Sequence, residues 1–117
     1  MFNINGEEWA VHLVSPNHPA LIRNDGTFAI GSCDDDTKTI YVNDMLNEYL
    51  MRKVICHEIT HAAMFSYNIL LTEDQEELLA DLIATYGNEI IGESYLTFPF
   101  IFLGKILKLF SGKFRIA

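Results

Sequence analysis

The run His57-Glu58-Ile59-Thr60-His61 places two histidines four residues apart, with a glutamate directly after the first. A helix puts side chains at that spacing on one face, one turn above the other. The flanking sequence agrees, because Leu50, Val54, His57, His61, Met64 or Phe65, and Asn68 recur at steps of three and four, and Asn43 or Asp44 can cap the start. On such a face the ring nitrogens of His57 and His61 both reach one Zn²⁺ ion at about 2.0–2.1 Å. Glu58 then stands beside the open metal position, where its carboxylate can take a proton from activated water. His57 and His61 are therefore candidate zinc ligands, and Glu58 a candidate general base.

A catalytic zinc needs a third protein ligand. A second helix opens at Thr72, where Thr72-Glu73-Asp74-Gln75 has capping-box form, and is expected to stop near Gly92. Only a few residues separate the two helices, so they should lie antiparallel. Leu78, Leu79, Leu82, Ile83, Tyr86 and Ile90 form a large apolar face expected to be core. A second stripe, Glu73, Glu77, Ala80, Ala84, Gly87 and Ile91, is rich in small residues that let helix backbones approach closely. If that stripe packs on the histidines, Glu77 points at the zinc, with Glu76 and then Glu73 as the other candidates. Asp81, one turn beyond Glu77, is placed to accept the second ring N–H of a ligand histidine.

Before residue 43 the period is that of strands. Phe2 to Ile4 and Glu8 to Val14 flank an Asn5-Gly6 turn and read as a hairpin. Ser15-Pro16-Asn17-His18-Pro19 breaks it. Ala20 to Arg23 reads as a strand or one helical turn, and Asn24-Asp25-Gly26 as a turn. Phe28 to Gly31 and Thr39 to Val42 then read as a second hairpin across Asp34-Asp35-Asp36. Either of these last two segments is a candidate edge for pairing with an extended peptide. For transition-state stabilisation, Tyr41, Tyr67, Tyr86, His12 and His18 are candidates among which the sequence does not choose. Cys33 and Cys56 are too few for a disulfide framework and fit a reducing compartment.

The 117 residues suit one domain. A net charge of −8 speaks against a nucleic-acid partner. All sixteen acids lie in residues 1–93, with four bases, whereas 94–117 holds four bases and no acid. We therefore expect a domain over 1–93 and an amphipathic basic tail over 94–117. That tail is expected to form a helix packed on the acidic body, contact with an anionic membrane surface being the alternative. No stretch longer than 14 residues lacks Asp, Glu, Lys and Arg, short of a bilayer span, and the N-terminus has no signal-peptide pattern.

His57-Glu58-Ile59-Thr60-His61 followed by Glu77-Leu78-Leu79-Ala80-Asp81 resembles the gluzincin pattern, H-E-x-x-H then E-x-x-x-D. With Ala80 and Ala84 it is also similar to the ImmA/IrrE-type metallopeptidases. Trp9-Ala10-Val11, Asn24-Asp25-Gly26-Thr27 and Gly31-Ser32-Cys33-Asp34 before Ile40-Tyr41-Val42 resemble that group's small phage and prophage members. The resemblance spans residues 7–92, with Asp81 standing where the ImmA/IrrE pattern usually has Asn. It implies an α+β minimal zincin: a small, mainly antiparallel sheet, an active-site helix and a glutamate helix. It further implies zinc on His57, His61 and Glu77, Glu58 as general base, and a protein or peptide substrate in the cytoplasm of a bacterial or phage-infected cell. A non-catalytic, zinc-stabilised protein-binding module is the alternative.

Overall fold

Asn5 and Gly6 both adopt left-handed backbone conformations, φ 50° and 79°. That is what a two-residue hairpin turn requires. Phe2–Ile4 (β1) and Glu7–Val14 (β2) accordingly pair antiparallel, with Phe2 opposite Trp9. The structure, a computed structural model, describes the backbone of residues 1–97 and the side chains of residues 1–90. The expected C-terminal helix lies outside the described residues.

After β2, Pro19–Leu21 forms a single 3-10 turn capped by the His18 side chain. The second hairpin is shifted from its expected place: its first strand is Gly31–Asp34 (β3), and Phe28 makes only an isolated bridge to Ile22. The cause lies at the other end of the hairpin. Asp34 Oδ1 accepts from Asp36 N–H, and Lys38 takes a left-handed conformation (φ 52°) while bound to Asp35 and Glu7. That turn fixes Asp34 opposite Thr39 at the start of Thr39–Asn43 (β4).

The sheet order is β1-β2-β4-β3. Both hairpins are antiparallel as expected, but β2 and β4 join them in parallel, which makes the sheet mixed. It also makes β4 an interior strand, hydrogen-bonded on both sides, so Thr39–Val42 has no edge to offer a peptide. Among the described residues, β3 is the edge strand on that side of the sheet.

Two helices follow, the first packed on the sheet and the second packed on the first. Glu48–Ser66 (α1) begins later than expected, capped by Asn47, whose side chain accepts from Leu50 N–H at 2.8 Å. Asn43 and Asp44 are unavailable as caps because β4 runs through Asn43 and Asp44 N–H bonds to Val14 C=O. Glu73–Thr97 (α2) follows and passes through Gly92 rather than stopping there. One interior glycine costs a helix only about 1 kcal/mol.

The core lies between the sheet and α1: Trp9, Ile40, Val42, Val54 and Ala62 are buried together. Trp9 Nε1 donates to Ser66 Oγ at 2.7 Å and Asn5 Nδ2 to Ser66 C=O at 2.9 Å, which ties the first hairpin to the end of α1. On α2 the small stripe faces α1, with Ala80 fully buried. The large apolar face does not form core among the described residues: Leu78 is 71% exposed, and Leu82, Tyr86 and Ile90 are exposed with it. With α1 on one side of α2, the described residues provide no layer for the other. Among the described residues, no helix is long and apolar enough to cross a membrane.

Candidate metal centre

His57 and His61 leave α1 on successive turns, and their Nε2 atoms lie 3.1 Å apart. Glu77 reaches both from α2, with Oε2 3.3 Å from His57 Nε2 and Oε1 2.9 Å from His61 Nε2. These three side chains offer ligand atoms all within 4.8 Å of one another. The small stripe of α2 is what permits this, since Ala80 sits in the seam where a larger side chain would hold the helices apart.

The other ring nitrogens are held as well. His57 Nδ1 lies 2.9 Å from Asp81 Oδ1, and His61 Nδ1 lies 3.2 Å from Glu76 Oε2. Asp81 and Glu76 can each accept an Nδ1 proton, which selects the neutral imidazole tautomer whose Nε2 lone pair is free for a metal. In that tautomer two imidazole lone pairs and the Glu77 carboxylate face one point, an arrangement that a cation would stabilise. Two imidazoles and one carboxylate are a donor set suited to a divalent transition metal with an open coordination position.

Glu58 is placed differently. It is 7% exposed, with Oε2 4.0 Å from His57 Nε2, and its stem lies against the backbone of β3 at Gly31. Burial pushes its carboxyl up to about 7, opposed by His57 and assisted by the charge of Glu77. It borders the metal group without belonging to it.

His57, His61, Glu77 and Asp81 thus come together as their spacing suggests. Glu76 instead packs on His61, with a side chain only 24% exposed, as a second support that sequence reasoning placed among the fallback ligands. Glu73 is exposed on the first turn of α2. Cys33 packs against the core, where burial, followed by the charges of Glu58 and Asp35, raises its thiol to about 12. Of the proposed transition-state donors, His12 and His18 pack on Tyr41, with ring centroids 5.9 and 5.7 Å away. Tyr41 lies between Ile40 and Val42, both in the core, and so points to the opposite face of the sheet. Neither these three nor Tyr67 and Tyr86 line the cleft of about 360 Å³ that opens beside His57, Glu58 and Glu77. Arg23 and Lys53 do line it, and no motif in the sequence singled them out.

A family model described as the IrrE N-terminal-like domain, of the peptidase class, matches residues 20–115. That match takes in both helices, β3 and β4, and runs into the segment 94–117. No match was found among the curated proteins or among the solved structures.

Proposed function

The chain belongs to the family of IrrE N-terminal-like peptidase domains, and from that premise we propose that it is a zinc-dependent metallopeptidase that hydrolyses a peptide bond of an intracellular protein substrate. The observation that carries this reading is the convergence of His57, His61 and Glu77 within 4.8 Å beside the buried Glu58 carboxylate. In this reading His57, His61 and Glu77 hold the metal, and Asp81 and Glu76 fix the two imidazoles from behind. Zinc, when bound, supplies a Lewis acid and lowers the pKa of water towards ~7. Glu58 accepts the proton of the attacking water and returns it to the leaving amine. Its buried site, between α1 and Gly31, holds the carboxylate in one position and keeps bulk water from it. The β3 edge offers main-chain hydrogen bonds to an extended substrate.

The test is elemental analysis together with hydrolysis of a diverse peptide library. The wild-type chain is expected to bind one zinc and to cleave. Glu58→Gln should keep zinc and fold and lose cleavage, because the amide cannot take up the proton. Full zinc occupancy with no cleavage of any peptide by the wild type would instead favour a zinc-stabilised protein-binding module.

A further inference from the structure

Acids outnumber bases four to one in residues 1–93. On so acidic a body a basic side chain ordinarily finds a carboxylate. Two of the four do: Lys38 pairs with Glu7 and Asp35, and Arg52 with Glu48 at 2.8 Å. Arg23 and Lys53 make no ion pair among the described residues, and both line the cleft of the metal group. Arg23 acts on Asp25 across the turn without an ion pair between them. Asp25, two residues from Arg23, accepts from Thr27 N–H at 2.9 Å and Thr27 Oγ1 at 2.6 Å. Lys53 is half-buried and has no acid three or four residues away on α1, while Asp81 and Glu77 across the seam are held by His57 and His61.

The two cations come from different elements. Arg23 is carried by a turn closed by Arg23 N–H to Thr27 C=O at 2.7 Å, and Lys53 lies one turn before His57. Ile30, Leu50 and Ala84 line the same cleft and give it an apolar surface. The cleft therefore brings the metal group and its acids, two cations and an aliphatic surface to one wall.

We infer that Arg23 and Lys53 form a subsite for a carboxylate of the bound peptide, so that the cleft selects substrates presenting an acidic side chain or a free C-terminus there. A guanidinium and an ammonium lining one cleft of about 360 Å³ can both serve a single carboxylate. The apolar wall takes the methylene stem that precedes it. A polyanion is disfavoured by the negative body around the cleft. That the ligand is a peptide rests on the proposed function, whereas its charge preference rests on Arg23 and Lys53 alone.

The experiment uses the zinc-loaded full chain carrying Glu58→Gln, which retains peptides without cutting them. The probe is a degenerate hexapeptide library in two forms, one with amidated and one with free C-termini. Retained peptides are sequenced by mass spectrometry. Enrichment of Asp and Glu over Asn and Gln in the amidated form assigns the subsite to a side chain. Enrichment of free over amidated termini assigns it to the chain end. Either should be roughly tenfold, the worth of one charge-assisted contact. Arg23→Gln with Lys53→Gln should abolish it at unchanged zinc content, and Arg23→Glu with Lys53→Glu should turn the preference to Lys and Arg. Equal retention of acidic and basic peptides, retention of none, or a preference that survives the double substitution overturns the inference. Cleavage of the same library by the wild type reads the other claim separately: cleavage without acidic preference leaves the peptidase standing and removes the subsite. Acidic retention with no cleavage does the reverse.

Discussion

Glycine at position 31 is set by the close approach of β3 to α1, and Gly31→Ala measures that approach. The added Cβ would lie 2.6 Å from Val54 Cγ1, 3.2 Å from Glu58 Cγ and 3.4 Å from Glu58 Oε2. Carbon atoms pack comfortably at about 3.5–4.0 Å, so roughly 1 Å has to be found at Val54. Val54 is 7% exposed, and a helical valine is confined to one rotamer, so it has little room to turn aside. Overpacking of this kind costs about 1–3 kcal/mol. At roughly 4 °C per kcal/mol for a domain of this size, the variant should melt roughly 4–12 °C below the parent. Val54→Ala alone should cost about 2 kcal/mol in lost burial and cavity. Together the two should cost less than their sum by about 1–2 kcal/mol, because the new methyl occupies the space the valine vacates. Urea denaturation of the four proteins of this cycle reads that coupling. Zinc content should not change, since His57 and His61 face α2, but hydrolysis should fall further than stability because Glu58 is displaced. A cycle that is additive within about 0.5 kcal/mol, or a Gly31→Ala protein as stable as the parent, would refute the packing argument.

Three further outcomes are expected. His57→Ala, His61→Ala and Glu77→Ala should each lose stoichiometric zinc, while Asp81→Ala and Glu76→Ala should weaken it by roughly 10–100-fold in chelator competition; a Glu76→Ala loss larger than that of Glu77→Ala would reverse their roles. Trp9→Phe should cost about 1–3 kcal/mol by leaving buried Ser66 Oγ without its donor, and combining it with Ser66→Ala should recover part of that in urea denaturation. In a Cys56→Ser background, Cys33, held near 12 by burial and by the Glu58 charge, should react with iodoacetamide at pH 8 on the order of a thousandfold slower than a free thiol. Because the unfolded thiol ionises first, Cys33 should draw stability down as pH rises from about 8.5 towards 12, and Cys33→Ala should remove that share of the decline; equal pH profiles would contradict it.

What the sequence made legible was local. Asn5-Gly6 can be read because two left-handed residues are a property of the dipeptide, and the first hairpin follows. The His57 and His61 spacing can be read because helix geometry alone brings i and i+4 together. Non-local choices were less visible. The parallel pairing of β2 with β4 joins residues nearly thirty apart and leaves no mark on either strand's own alternation. The start of β3 at Gly31 rather than Phe28 was decided by Asp34 and Lys38 at the far turn. Leu78, Leu82 and Tyr86 look like a core face by composition. Burial, however, depends on what lies opposite, and among the described residues nothing does. Arg23 and Lys53 stand alone in the sequence and gain meaning only because a loop and a helix bring both to one cleft.

The candidate ligand set was more legible than a single spacing suggests, because two spacings constrain each other. His57 and His61 are four apart on α1, and Glu77 and Asp81 are four apart on α2. In an antiparallel pair one advances as the other retreats. If Glu77 lies level with His61, then Asp81 must lie level with His57, which is what the contacts at 2.9 Å in both places show. One carboxylate can then span both Nε2 atoms while the other anchors Nδ1 from behind. Moving the glutamate to position 76 breaks that correspondence by about 100° of helix rotation, and the structure has Glu76 on Nδ1 of His61 instead. The same rotation explains why Glu58, one residue after His57, turns out of the α1–α2 seam and towards β3. His57 and Glu58 are adjacent in sequence and face different elements, so under the proposed function zinc affinity and proton transfer should respond to separate substitutions.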